Sequence, residues 1–369
     1  MIDKAVLKNE EKAIYQLRSL YKQYGYLPFK MSKFEEYDLY VKNKDFLISD
    51  RVITFNDTNG KLLALKPDVT LSIIKNGEDE RGCKQKVYYN ENVYRVSGST
   101  HQYKEIMQTG LECIGDIDFY DIFESVLLAA KSLDLISNDF VLDISHLGLL
   151  EALLDEISSD KSFRREITQC ISEKNSHDIE RICAEYEISK DSAKTLCDFV
   201  SIYGDMKSVT EKLSPLCKNE KSQTALAELK LLSDLLADTS FADKIRFDFS
   251  VVNDMSYYNG IVFKGFLQGI CESVLSGGQY DNLMHRMGRK SGAVGFALYL
   301  DLLEELEVNR NEYDVDVLLI CKDCSKTGLI VKIANDIVTQ GKSVSVQKEI
   351  PEKLRYRELI EINEEGKKC

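Results

Sequence analysis

Between about residue 148 and residue 243 nearly every segment carries apolar residues at helical spacing, whereas the chain on either side reads as short strands. Residues 224–237, TALAELKLLSDLLA, show the pattern, with charged faces and few β-branched residues. Upstream, residues 52–55 and 62–65 flank NDTNG, a hairpin signal. Residues 87–89, 93–95 and 140–144 are further strand candidates, and strands resume at 246–252 and 260–263. A long helical block set inside a run of strands limits the architecture to α+β. It predicts a β-rich core carrying a helical insertion at about 148–243.

Outside that block, residues 10–24 predict a helix, with Ile14, Leu17, Tyr21 and Tyr24 on one stripe and Gly25 ending it. Residues 294–306 are expected to form another. After Tyr313 a short α/β segment is expected, with strand 315–320, helix 327–339 and strand 343–346, then a polar tail from 361 to 369. The expected domains are thus 1–310 for the core and 313–369 for the α/β segment.

Composition narrows the function. The formal net charge is −13, so no basic surface is indicated and nucleic acid is not expected as a main ligand. No apolar run has the length of a membrane span, and no signal peptide is recognisable at the start. Ten cysteines without framework spacing suggest reduced thiols and a cytoplasmic location. Cys321 and Cys324 have the spacing of half a zinc site or of a redox pair, but no second pair or histidine lies near them, which favours plain structural thiols.

The stretch 106–115, IMQTGLECIG, raises the sharpest chemical question. In a strand, Gln108, Gly110 and Glu112 face the same way, and glycine there would leave open space between an amide and a carboxylate. Three other segments accompany it: LKPDVT at 65–70, presenting Asp68 and Thr70; VYR at 93–95, leading into SGSTH; and SYYNG at 256–260, followed by SGGQYD at 276–281 and GAVGFA at 292–297. Taken singly, each has a plain explanation: a loop carboxylate, a surface arginine, core tyrosines, a tight glycine turn. Their order and spacing together are harder to obtain by chance.

That combination resembles the catalytic core of histidyl-tRNA synthetase, a class II aminoacyl-tRNA synthetase, from about residue 10 to residue 305. The helical block falls at that family's insertion, and "QTGLE", "YYNGIVF", "SGGQYD" and "AVGFA" carry most of the likeness. The resemblance implies a class II synthetase-like fold, an α+β antiparallel sheet core flanked by helices, and a pocket for histidine. Glu112 and Tyr258 would hold the imidazole beside Tyr257. Asp68, Thr70 and Gln108 would hold the α-ammonium, and Arg95 the carboxylate. These groups suit a ligand whose amino and ring N–H donors must be satisfied on burial.

The departures are as informative. Asn253 stands at the family's histidine-specific arginine, and Leu302 at the ATP-binding arginine of the third class motif. The loop after Arg95 is short and lacks a second arginine and a glutamate. Removing one such electrostatic contact commonly costs about a hundred- to a thousandfold in rate, so adenylate chemistry is not expected. By the same resemblance, the segment from Tyr313 onward is expected to be the first part of an anticodon-binding-like α/β unit, and its ten basic and ten acidic residues give no basic excess for RNA.

A synthetase-like chain that keeps its amino-acid pocket without ATP chemistry is similar to the regulatory subunit family of ATP phosphoribosyltransferase. Asp68, where synthetases have glutamate, fits that family. The resemblance implies a short-form catalytic phosphoribosyltransferase partner in a hetero-octamer, self-association as a dimer, L-histidine as effector, and no catalytic residue, metal or cofactor in this chain. A divergent histidyl-tRNA synthetase is the alternative. An amino-acid-dependent ligase-like paralogue is a third reading, but it would need an ATP site that the sequence does not display.

Overall fold

The computed structural model describes residues 7–43, 52–77, 82–96, 101–252, 257–305, 313–322 and 327–362. The chain divides into two compact units, Met1–Leu306 and Glu307–Cys369. In the first, a nine-stranded sheet runs in the order Leu27–Pro28, Lys84–Val96, Tyr103–Gly115, Gly292–Tyr299, Leu275–Gln279, Ile261–Leu267, Phe140–His146, Ile245–Asp248, Tyr203–Asp205. The pairings are antiparallel except for Leu27–Pro28 on Lys84–Val96 and Phe140–His146 on Ile245–Asp248. This is the expected antiparallel-dominated α+β core.

Each face of the sheet buries its own apolar set. On one side lie Leu17 and Tyr21 of helix Asn9–Gln23 and the buried stripe of helix Phe119–Ile136, packed on Tyr88, Leu111, Cys113 and Phe296. Asp118 caps the latter helix by accepting the Tyr120 and Asp121 N–H groups, while Asp121 accepts that of Asp118. On the other side, helices Thr70–Asn76 and Asp281–Arg286 pack through Leu71, Ile73, Ile74, Leu283 and Met284 on Val87, Tyr89, Ile114 and Ala293. The expected hairpin forms as Thr54–Asn56 against Leu62–Leu65, with Gly60 at φ +80° in its turn and Phe34–Glu36 completing a separate three-stranded sheet.

Residues 148–243 are mostly helical, in segments from Leu147–Ile157 to Glu220–Ala237. They are not a detached module. The block contributes edge strand Tyr203–Asp205 to the large sheet, and its Phe163, Leu196, Phe199 and Leu229 belong to the same apolar cluster as Leu142 and Phe263.

Two expectations on the first unit need correcting. The α-helix expected at 294–306 does not form over its described residues: Gly292–Tyr299 is a strand and Leu300–Glu305 a 3-10 helix. Tyr103–Gly115 on one side and Leu275–Gln279 on the other supply hydrogen-bonding edges to this segment. Those long-range pairings outweigh the local preference of its alanine and leucine residues. The two short segments at 87–89 and 93–95 are one strand, Lys84–Val96, because the polar residues between them stay in register, Asn90 opposite Thr109 and Glu91 opposite Gln108.

In the second unit Val315–Ile320 is central between Val344–Gln347 and Tyr356–Glu361, all parallel, with Ile333 and Ile337 of helix Thr327–Thr339 buried against Val317 and Leu319. Strand Tyr356–Glu361 went unread in the sequence because charges interrupt its apolar positions. Cys321 is buried, whereas Cys324 lies outside the described residues; the described cysteines form no disulfide.

Candidate functional site

The sheet's register explains why a cavity exists on the face that carries Tyr89. One row across it reads Tyr89, Gly110, Ala297, Ser276, Lys264, Asp143. The next reads Glu112, Gly295, Gly278, Val262. Ala297 and Ser276 keep the middle of the first row low, while larger side chains lie over the glycines, Tyr89 over Gly110 and Glu112 over Gly295, and form the floor. A cleft of about 690 Å³ lies over it, within the size range of small-molecule sites.

All seven residues singled out in the sequence line this cleft: Asp68, Thr70, Arg95, Gln108, Glu112, Tyr257 and Tyr258. Glu112 sits deepest, 2% exposed. Its Oε2 accepts the Tyr280 hydroxyl at 2.6 Å and its Oε1 the Thr70 hydroxyl at 3.0 Å. Burial pushes its carboxyl up to about 8, against the pull of those two hydrogen bonds. A methyl group on Gly295 would overlap the Glu112 carboxylate, so glycine at 295 is what lets that side chain lie across the neighbouring strand.

The other groups surround it. Thr70 is also hydrogen-bonded to Tyr257, and Tyr258 to Ser276. Asp68 accepts the Leu71 N–H at 2.9 Å; enclosure by protein raises its carboxyl above the usual range, while nearby Arg95 opposes that rise. Arg95 donates from Nε to the Pro67 carbonyl at 2.9 Å and is hydrogen-bonded to Tyr299. Gln108 is 3% exposed and also lines the cleft. Leu302 lines the cleft where the resemblance placed an ATP arginine; Asn253 lies outside the described residues.

The open space expected above Gly110 is not open. Tyr89, directly opposite on the adjacent strand, swings its phenol over the glycine, so a Cβ there would stand 2.6 Å from the Tyr89 hydroxyl. Gly110 accommodates an aromatic wall, and the ligand space lies beyond it.

Sequence reasoning missed Tyr89, Tyr280, Tyr299, Lys104 and Lys264 as lining residues. Tyr280 was within reach, since it sits inside SGGQYD. The polar residues of that motif turn out to be fasteners. Asn259 donates to Asp281 at 3.0 Å and accepts the Asp281 N–H at 2.7 Å. Gln279 Oε1 accepts the Ile261 N–H at 2.9 Å, and Asp281 the Ala293 N–H at 2.9 Å. These bonds pin the segment bearing Tyr257 and Tyr258 to the one bearing Tyr280.

Among the described residues no group of three metal-ligating side chains occurs, and no helix is long and apolar enough to cross a membrane. The cleft thus presents the enclosed carboxylates of Glu112 and Asp68 and the amide of Gln108, groups that suit a ligand rich in N–H donors, together with Arg95.

The chain is similar to curated proteins named ATP phosphoribosyltransferase regulatory subunit. In Clostridium botulinum strain 657 the identity is 28%, covering 84% of this chain and 75% of the relative. In Clostridium kluyveri it is 29%, covering 81% and 78%. Among solved structures, an ATP phosphoribosyltransferase regulatory subunit/histidyl-tRNA synthetase from Bacillus halodurans superposes with a TM-score of 0.78 at 24% identity, covering 98% of this chain and 96% of that one. The ATP phosphoribosyl transferase (HisG:HisZ) complex from Thermotoga maritima contains a chain with a TM-score of 0.63 at 20% identity, covering 80% and 98%. The family model for histidyl-tRNA synthetase matches residues 3–303, and the chain belongs to that family.

Proposed function

We propose that this chain is the non-catalytic regulatory subunit of an ATP phosphoribosyltransferase, and that its cleft binds free histidine and reports histidine level to a short-form catalytic partner. The observation that carries the reading is the uneven survival of the cleft. Glu112, Asp68 and Gln108 line the cleft, while Leu302 presents a hydrocarbon side chain at an arginine position of the synthetase pattern. The names of the relatives point the same way.

In this reading the imidazole lies against Glu112 and Tyr258 with Tyr257 beside it. The α-ammonium meets Asp68, Thr70 and Gln108, and the carboxylate meets Arg95. Glu112 retains its proton at neutral pH in the empty cleft, so a neutral imidazole completes a one-proton pair with it that reads equally as carboxylate and imidazolium. Feedback inhibition then requires that histidine bind one quaternary state better than another, a coupling that typically amounts to about 1–3 kcal/mol.

The test is reconstitution with a short catalytic phosphoribosyltransferase from the same source. Activity that depends on both chains and is inhibited by histidine is expected. Full, histidine-insensitive activity from the catalytic chain alone would contradict the assignment. The cations Arg95, Lys104 and Lys264 on the cleft wall keep a divergent histidyl-tRNA synthetase as the second reading, and histidyl-tRNA formed by the purified chain would establish it.

A further inference from the structure

The cleft is longer than one amino acid requires. Arg95 and Lys264 stand on strands four steps apart in the sheet, roughly 19 Å at the backbone for a spacing of about 4.8 Å per strand. A ligand with its ring on Glu112 and its amine on Asp68 uses the Arg95 end. The other end is walled by Lys264, Ser273, Ser276 and Glu272.

Lys264 is the unusual member. It is a half-buried lysine in the middle of strand Ile261–Leu267. Register sets it directly opposite Asp143 on one side and Ser276 on the other. Asp143 is the obvious partner, yet the two form no ion pair, and Lys264 lines the cleft instead. Burial alone acts on its ammonium and lowers its proton affinity, and no carboxylate among the described residues compensates. Other enclosed lysines in the same unit are paired: buried Lys66 has Glu91 at 2.8 Å, and half-buried Lys86 has Glu124 at 2.5 Å. A desolvated ammonium without a counter-charge carries a standing cost that a bound anion removes.

The geometry points to a second subsite in the cleft, in which Lys264, with the hydroxyl of Ser273, receives an oxyanion of a small phosphorylated or carboxylated molecule other than the amino acid on Glu112. This goes beyond the histidine reading and does not need it. Glu272 on the same wall is exposed and favours anions small enough to sit against Lys264 without meeting it.

Inorganic phosphate and acetate serve as probes, titrated at constant ionic strength into the full chain and into Lys264→Met and Lys264→Arg, with thermal unfolding and calorimetry as readouts. Methionine keeps the apolar stem of the lysine, so the fold is retained. The expected result is a saturable rise of the wild-type melting temperature with at least one probe. It should weaken fivefold or more in Lys264→Met and recover in part in Lys264→Arg, while histidine affinity stays within twofold. Response to phosphate alone marks a phosphate subsite; response to acetate as well marks a general oxyanion subsite. No saturable effect of either probe on wild type, or the same effect on Lys264→Met, overturns the proposal. So does a tenfold loss of histidine affinity in Lys264→Met, because the oxyanion is then the amino acid's own carboxylate. Failure of histidine to bind wild type would overturn the proposed function and leave the anion result standing.

Discussion

The two faces of the large sheet treat buried carboxylates differently. On the face covered by helix Phe119–Ile136, Glu124 is 3% exposed and meets Lys86 at 2.5 Å, with hydroxyls from Tyr26 and Tyr120 at 3.2 and 2.9 Å. Asp121, 1% exposed, meets Lys84 at 2.6 Å. On the cleft face Glu112 is as deeply buried and meets two hydroxyls but no cation. The helix face has been completed by the protein itself. On the cleft face the counter-charge is missing, and a basic ring would supply it.

Breaking the completed side should have the largest effect. Lys86→Met leaves Glu124 buried beside two phenols and should destabilise the fold by about 3 kcal/mol in denaturant unfolding, as removal of one member of a buried pair does. Glu112→Gln, made at an equally buried site, should not destabilise at pH 8 or above, because no internal cation loses its partner. Comparable losses for the two variants would erase the contrast.

Gly295→Ala comes next. Its methyl would overlap the Glu112 carboxylate and the Leu111 carbonyl in the middle of a strand that cannot shift freely, with an expected cost of about 1–3 kcal/mol. The same variant should lose histidine binding, since Glu112 must move. Stability unchanged from wild type would mean that Glu112 does not lie across this strand.

Acidity gives a finer measure. The folded carboxyl of Glu112 titrates near 8, above its ordinary value of 4.5, so the folded state holds a proton that the unfolded state has released. This contribution to stability is complete below about pH 4.5 and is lost as pH rises toward and through 8. Unfolding titrations should show the decline in wild type and a shallower one in Glu112→Gln. Histidine affinity should follow a bell between the ordinary imidazole value, about 6.5, and about 8. Below the lower limit, ring and carboxyl both carry protons and one must leave; above the upper limit, neither does and one must be taken up.

The sequence exposed features whose cause is local or rhythmic. Helix Asn9–Gln23, the hairpin around Gly60 and the helical insertion all follow from spacing and turn residues. The seven cleft residues came from the resemblance, not from periodicity. What escaped depends on distant strands. Gly292–Tyr299 is extended because two partners flank it, and Tyr89 fills the gap over Gly110 because register sets them opposite each other. Lys264 could not be distinguished from a surface lysine until its row in the sheet was known.

The most direct test of the central claim is calorimetry of L-histidine against wild type and Glu112→Gln at pH 7.5. The account predicts saturable binding to wild type and a loss of tenfold or more in the variant, about 1.4 kcal/mol, with Gln108→Ala weakened similarly. Equal affinities for wild type and Glu112→Gln would contradict it.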